Sequence, residues 1–440
     1  MEYISNMMKR GILAVLIFVL LSPLKVNNTW AEETQETTGV TSTDIKIGAV
    51  YPQTGGDSYF YLSFFAGANS YFDHLNKSGG IYGRKVYLIT GDDQGIPTRS
   101  ITATNDLLLK SRVFALFNSS PTTPAHIAVA KQLRNKTIPD FYPTAIYSGF
   151  RDTNKYPNLL AMGGSTQQEA RIAATFSREF FPDKNFTWKN NMFEGDVEVD
   201  VRNAWSNMGF TVKPFTNEEN TVTIILSSSY STLQSIKTIK KPLLVSGRTT
   251  SYTSRLVFFD QKDLAEVYSI NALPLASDKS NEFVRFFESL NSNYSMGAPF
   301  DNAFIEGANS AYIFSQALAA TGQNPTRSGL VKTFRERGNS FSTATYGSLD
   351  FGSGVTAGKA SFYVAKFDGL TWSPVSSFYT NELDSNIVTR GPIQGTKLLP
   401  NGLPIMDSKA SKSSISCMKG KVVKVVSGSN PSCPAGFKKK

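Results

Sequence analysis

Two adjacent aspartates, Asp92 and Asp93, are the first residues along the chain whose pairing could do acid–base chemistry. They close the stretch "KSGGIYGRKVYLITGDDQGIP", Lys77 to Pro97. A working carboxylate pair must face one substrate. Successive residues at a strand end point to opposite sides, so this pair reads as a loop that is solvated or caps its neighbours. The chain has two histidines, His74 and His126. His74 lies beside the apolar stripe of a helical segment, and His126 opens a helix with no nucleophile partner in view. There is no G-x-S-x-G elbow, no H-E-x-x-H and no Walker A sequence. "GSGVTAG", from Gly352, fits G-x-G-x-x-A but follows "LDF" and opens no helix, so it reads as a turn. Histidine and cysteine are too scarce for a metal-ligand set. The expectation is a chain with no catalytic residues, no metal and no cofactor.

A different chemistry is offered by "NSSPTTPAHIAVA". Thr123 reads as an N-cap with Pro124 at the first helical position. The free N–H groups of that helix start, with the hydroxyls of Ser119, Ser120, Thr122 and Thr123, suit an anionic ligand group. Ordinary capping would call for the same residues.

The elements around these loops alternate. "DIKIGAVYP" reads as a buried strand. Phe64, Phe65, Ala68, Tyr71, Phe72 and Leu75 then recur on one face of a helix. Gly79 and Gly80 end that helix, and "KVYLIT" is the next strand. "TRSITATNDLLLKS" and "AHIAVAKQLRN" read as helices, "VFALF" and "IPDFY" as strands. A second run opens with the helix "QQEARIAATFSREF". "NEFVRFFESLN", "AFIEGANSAYIFSQALAA" and "SGLVKTFRER" are later helices, and "KASFYVAKFDG" is a closing strand. Strands alternating with helices imply parallel sheets covered on both faces, an α/β class. Open sheets of that kind bind ligands in loops at the C-terminal ends of their strands.

Residues 1–31 have a basic start, a short apolar core and small residues before Ala31, the pattern of a secretory signal peptide. Residues 32–43 read as a polar linker. Of the net charge of +10, Lys409 to Lys440 supply +8 from eight lysines with no acid, and the signal region supplies +2. The body is therefore neutral, which argues against a nucleic-acid-binding face. Both cysteines, Cys417 and Cys433, lie in the basic tail, where an exported protein would join them in a disulfide.

"IKIGAVYPQTGG" and the run through "FAGANSYFDHLNKSGGIYGRKVYLITGDDQGIP" resemble the N-terminus of type I periplasmic binding proteins, the branched-chain amino-acid (leucine-binding) group of ABC-transporter proteins. Pro52, Thr54, Gly55, Gly67, Gly79, Gly80, Ile81, Gly83, Arg84, Asp92, Asp93 and Pro97 match in register. The likeness extends more weakly to about Pro374. It implies two doubly wound parallel-sheet lobes joined by three hinge strands. Lobe 1 would be 44–162 plus 271–342, lobe 2 would be 163–270 plus 343–376, and 377–440 would be a C-terminal extension. It also makes Lys77–Pro97 scaffold of the first lobe. "FTVKPF" and "TVTIIL" stand too close together to hold the crossover helix the family places there, so the second lobe is expected to be reduced or re-paired.

The resemblance further implies a solute trapped between the lobes, an exported and extracytoplasmic protein, and an ABC-transporter permease as partner. A ligand-sensing protein of the same fold, regulating a receptor or enzyme, is the other function it admits. The family's carboxylate-binding loop falls on Ser119–Thr123, and its next loop on Thr144, Ala145 and Ile146, where isoleucine cannot donate a hydrogen bond. Its second-lobe aromatic falls on Phe193, and a further loop on Ser228–Tyr230. The acid that pairs with a ligand amine falls on or next to Arg248, a reversal of charge. With Tyr59, Phe60, Tyr147, Phe193 and Tyr230 as an apolar wall, that reversal implies a carboxylate or amide ligand without a free α-amine. The eight tail lysines would draw the protein to anionic cell-envelope polymers.

Overall fold

The computed structural model describes residues 36–439 except 56–57, 119–121, 135, 143–146, 163, 190–194, 212, 214, 227–234, 251–258, 296, 348, 352–358, 370, 383–384, 392–394, 407–412, 421, 429–432 and 435. The signal-peptide expectation and residues 32–35 of the expected linker thus fall outside the described residues, while Val40 in the rest of that linker packs on the first-lobe core. Among those described, no helix is long and apolar enough to cross a membrane.

The first lobe is built on β1 (Asp44–Tyr51), β2 (Lys85–Asp92), β3 (Ala115–Phe117), β4 (Asp140–Tyr142) and β5 (Leu159–Ala161). Their order is β2-β1-β3-β4-β5, parallel throughout. The central strands are buried on both faces, which is why they read as continuous apolar runs. α1 (Ser58–Lys77), α2 (Pro97–Leu109) and α3 (Thr123–Leu133) cross between them. The α1 stripe from Phe64 to Leu75 is buried as its spacing requires. It packs on α7 (Asn302–Thr321), buried over almost its whole length. The two helix backbones touch. A Cβ on Gly67 would stand 2.1 Å from the Phe304 carbonyl oxygen, and one on Gly307 would stand 1.8 Å from that of Phe64. α6 (Glu282–Tyr294) and α8 (Arg327–Arg337) complete the layer.

The second lobe carries an eight-stranded sheet. β6 (Asn185–Trp188), β7 (Thr221–Ile225), β8 (Leu243–Ser246) and β9 (Val267–Asn271) are parallel. β10 (Lys359–Phe367) runs antiparallel to β9. β11 (Trp372–Pro374) pairs one stretch of β10 and β12 (Tyr379–Glu382) another. β13 (Val388–Arg390) pairs β12. α4 (Thr166–Phe180) and α5 (Gly195–Asn207) pack together on this sheet. The expected shortage of chain in this lobe resolves simply. None of the described residues of "FTVKPF" is in a strand, and α5 is the crossover from β6 to β7, which pair directly.

Two boundaries move. The extension does not start at residue 377. Tyr379 is fully buried in the second-lobe core, and β12 and β13 finish its sheet. Their outer faces meet solvent, so their composition resembles a loop. Leu349 and Phe351, placed in lobe 2 by the sequence reading, pack in the first-lobe core against Phe334. The chain then returns to lobe 1 once more. Leu398, Leu399 and Leu403 pack on the first core. The Tyr71 hydroxyl donates to the Gly402 carbonyl at 2.9 Å, and the Leu399 N–H donates to the Tyr312 hydroxyl at 3.0 Å. The lobes are therefore linked by this strap as well as by the three hinge crossings.

The tail is a sheet of its own, ordered β15-β14-β16, from β14 (Ser413–Lys419), β15 (Val422–Gly428) and β16 (Lys438–Lys439). A disulfide joins Cys417 to Cys433, with their Cα atoms 5.5 Å apart.

Candidate functional site

Asp92 and Asp93 hold loops, not substrates. Asp92 accepts hydrogen bonds from the backbone N–H groups of Gln53 and Gln94 and from the Thr54 hydroxyl, pinning the P-x-T-G loop. Burial pushes its carboxyl up, but these hydrogen bonds outweigh that and hold it below the usual range. Asp93 is buried and accepts from the Ser100 hydroxyl at 2.7 Å and the Gly95 N–H at 2.9 Å. Burial dominates there and raises its carboxyl despite the Ser100 hydrogen bond. His126 stacks on Tyr142 at 3.7 Å, with its Nε2 3.2 Å from buried Asp140. His74 Nε2 is 2.9 Å from the Asn401 carbonyl oxygen, against the strap.

At the start of α3 the cap lies one residue earlier than the sequence implies. Thr122 is the N-cap and Thr123 is the first helical residue. The Thr122 side chain makes no capping hydrogen bond. The Thr123 hydroxyl is buried and has no hydrogen-bond partner among the described residues. Ser119, Ser120, Thr144, Ile146, Phe193, Ser228 and Tyr230 lie outside the described residues, as do the side chains of Tyr59 and Phe60. Tyr147 packs edge-on to Phe150 at 5.4 Å, on the first lobe.

Arg248 is placed by a helical turn, Gly247–Thr250, directly after β8. Gly247 presses against β9, where an added Cβ would lie 2.5 Å from the Ile270 carbonyl oxygen. Arg248 therefore points neither alone nor to bulk solvent. Its Nε lies 3.2 Å from Glu306 Oε1, on α7 of the other lobe, and the two side chains are 18% and 6% exposed. A second carboxylate stands beside it. Glu169, in the first turn of α4, accepts from the Ser246 hydroxyl at 3.3 Å. Burial pushes Glu169 up to about 7. The Arg248 charge and the Ser246 hydrogen bond oppose that, and the Glu306 charge adds to it. These groups border a cavity of about 60 Å³ whose apolar wall includes Met162, Ile270 and Phe362. That volume is room for about two waters, or for the polar head of a solute.

The raised Glu169 carboxyl makes a testable statement. Its folded value lies above the ordinary carboxylate value, so its contribution to stability is intact at low pH. That contribution is lost as pH rises from about 4.5 through about 7. Glu169→Gln should match the wild type near pH 4.5 and exceed it by about 3 kcal/mol at pH 8. Urea unfolding at the two pH values checks this, and a pH-independent difference would refute it.

A second junction between the lobes is Asp200, buried on α5, which accepts from both the backbone N–H and the hydroxyl of Ser148. Ser148 opens the short 3-10 turn Ser148–Arg151 of the first lobe. Burial lowers the Arg151 guanidinium to about 10, Asp200 opposes that shift, and Arg248 adds to it. Asp200, Glu169 and Glu306 escaped the sequence reading because each acquires meaning only from a partner far along the chain. Among the described residues, no group of three His, Cys, Asp or Glu side chains could hold a metal ion.

Two α/β lobes, repeated chain crossings between them and polar contacts across the gap define a type I periplasmic binding protein fold. Solved structures show the same architecture. The branched-chain amino-acid transporter substrate-binding protein LivJ from Streptococcus pneumoniae, in complex with isoleucine, aligns with a TM-score of 0.63 at 13% identity. The alignment covers 77% of this chain and 100% of that one. A solute-binding protein of an ABC transporter from R. palustris, in complex with benzoate, aligns with a TM-score of 0.58 at 16% identity, over 76% and 96% of the two chains. Residues 44–224 match the family model described as periplasmic binding protein. The Leu/Ile/Val-binding protein BraC3 of Rhizobium johnstonii is 30% identical over 148 residues, 34% of this chain and 40% of that protein. The chain spans about two fifths or less of the length of the first curated relatives it matches. These relatives are named as binding proteins, in agreement with the expectation of a non-catalytic chain.

Proposed function

We propose that this protein is an extracytoplasmic solute-binding protein, exported by its signal peptide. It traps a small amino-acid-like carboxylate between its lobes and delivers it to an ABC importer. Its basic tail holds it to the anionic cell envelope. The observation that carries the reading is the pair of polar junctions between lobes, Arg248–Glu306 and Asp200–Ser148, which form only when the lobes are together. The start of α3 receives the solute carboxylate, where the Thr123 hydroxyl is buried and unsatisfied among the described residues. A guanidinium with no acid nearby would repel a free amine. Glu306 at 3.2 Å and the adjoining Glu169 supply that acid. A solute ammonium is therefore accommodated at this end. The isoleucine and benzoate complexes of the structural neighbours bracket the chemistry.

Calorimetry with isoleucine, leucine and benzoate tests the ligand, and small-angle scattering tests the trap. Binding of an amino acid with compaction of the molecule is expected. Thr123→Val should weaken carboxylate binding about tenfold, the loss of one hydrogen bond to a charged group. Glu169→Gln should weaken isoleucine but not benzoate. Binding without compaction would refute the trap, and full affinity in Thr123→Val would refute the carboxylate assignment.

A further inference from the structure

We infer that the C-terminal hairpin is a docking surface for a lipid bilayer bearing anionic headgroups. This rests on the reading of the tail as an envelope contact and gives that contact a chemistry. The register settles which side chains share a face. Cys417 lies opposite Lys424, Met418 opposite Val423, and Ser416 opposite Val425. β16 adds Lys438 opposite Met418. Directly opposed residues of antiparallel strands point the same way, and successive ones alternate. One face therefore carries Cys417 and Lys424, and the other carries Met418, Val423, Val425 and Lys438.

The first face is only partly covered, since Val422, which it also carries, is 55% exposed. Cys417 is fully buried and bonded to Cys433, and the Phe437 ring lies 5.3 Å from the Lys424 ammonium. The second face is bare, with Met418, Val423 and Val425 exposed by 42%, 48% and 67%. Solvent-facing positions of a sheet are ordinarily polar, and here three adjoining ones are apolar. The surrounding chain, Lys409 to Lys440, holds eight lysines and no acid. Lysines alone would satisfy a soluble polyanion, which gains nothing from valine and methionine. A membrane interface uses both, taking the apolar stripe below its headgroups and pairing the lysines with lipid phosphates.

The test uses the full chain, with sedimentation on vesicles of phosphatidylcholine alone or mixed with phosphatidylglycerol, and with polyphosphate as a soluble polyanion. The wild type should bind the mixed vesicles and not the neutral ones. The double variant Val423→Ser, Val425→Ser should lose about tenfold in vesicle partitioning with polyphosphate binding unchanged. Lys424→Gln with Lys438→Gln should weaken both. Val425→Trp supplies a direct readout, with a blue shift of emission expected on mixed vesicles. If the serine variant partitions like the wild type, or bound Val425→Trp shows no shift, the bilayer assignment is overturned while the envelope reading stands on polyphosphate binding. Equal binding to neutral vesicles overturns the role of charge. Binding to neither target overturns both readings.

Discussion

Gly307→Val is expected to destabilise the protein by about 3 kcal/mol or more, the upper end of overpacking effects. The reason is that the obstacle is backbone. A Cβ at Gly307 would overlap the Phe64 carbonyl oxygen at 1.8 Å, and no rotamer change can move a helix carbonyl aside. α1 and α7 would have to separate, opening the layer of Phe64, Phe65, Phe304 and Ala308 in the first-lobe core. In a lobe of this size the midpoint should fall by roughly 6–12 °C. Gly391→Val is the control, because a Cβ there meets nothing within 4 Å. Calorimetric melting of both variants decides the matter, and equal midpoints would show that the close approach is not structural.

The second large effect concerns closure. Asp200→Ala removes the acceptor of two Ser148 hydrogen bonds and the carboxylate that sustains the buried Arg151 charge. Breaking a buried charged contact from one side costs about 3 kcal/mol. The protein can avoid that cost by opening, which hydrates Arg151. The penalty is therefore expected in the closed population, as a loss of ligand affinity on the order of a hundredfold, with little change in the unfolding midpoint. Calorimetry and scattering on the variant check this. Undiminished affinity would mean that the junction is incidental to closure.

The outline of the molecule was legible because its signals are local. The α1 stripe, the glycines ending that helix and the continuous apolar strands of the first lobe are consequences of periodicity and backbone geometry within a few residues. Asp92 and Asp93 were legible as scaffold because adjacent residues at a strand end point apart, although Asp92 finds its partners Gln53 and Thr54 in a loop far along the chain. What escaped was set at long range or at a sheet edge. β12 and β13 have one wet face and short length, so nothing in their composition separates them from a loop. Arg248 was legible as a departure from the family pattern. The acid that answers it, Glu306, arrives on a helix of the other lobe, and Glu169 owes its shifted carboxyl to burial that no local pattern reports. The start of α3 was found by its residue types but misplaced by one position, which is as close as two consecutive threonines allow.

The strap at Leu398–Leu403 has a mechanical consequence. Because the tail follows it in the chain, any pull on an anchored tail enters the body through residues fastened to α1 and α7, including Tyr71 and Tyr312. The load is borne by lobe 1. The edge strands of lobe 2 lie upstream of that fastening and carry none of it. A molecule held at a surface by its C-terminus thus has one lobe moored and the other free to swing, and tension on the mooring does not work against the closing motion.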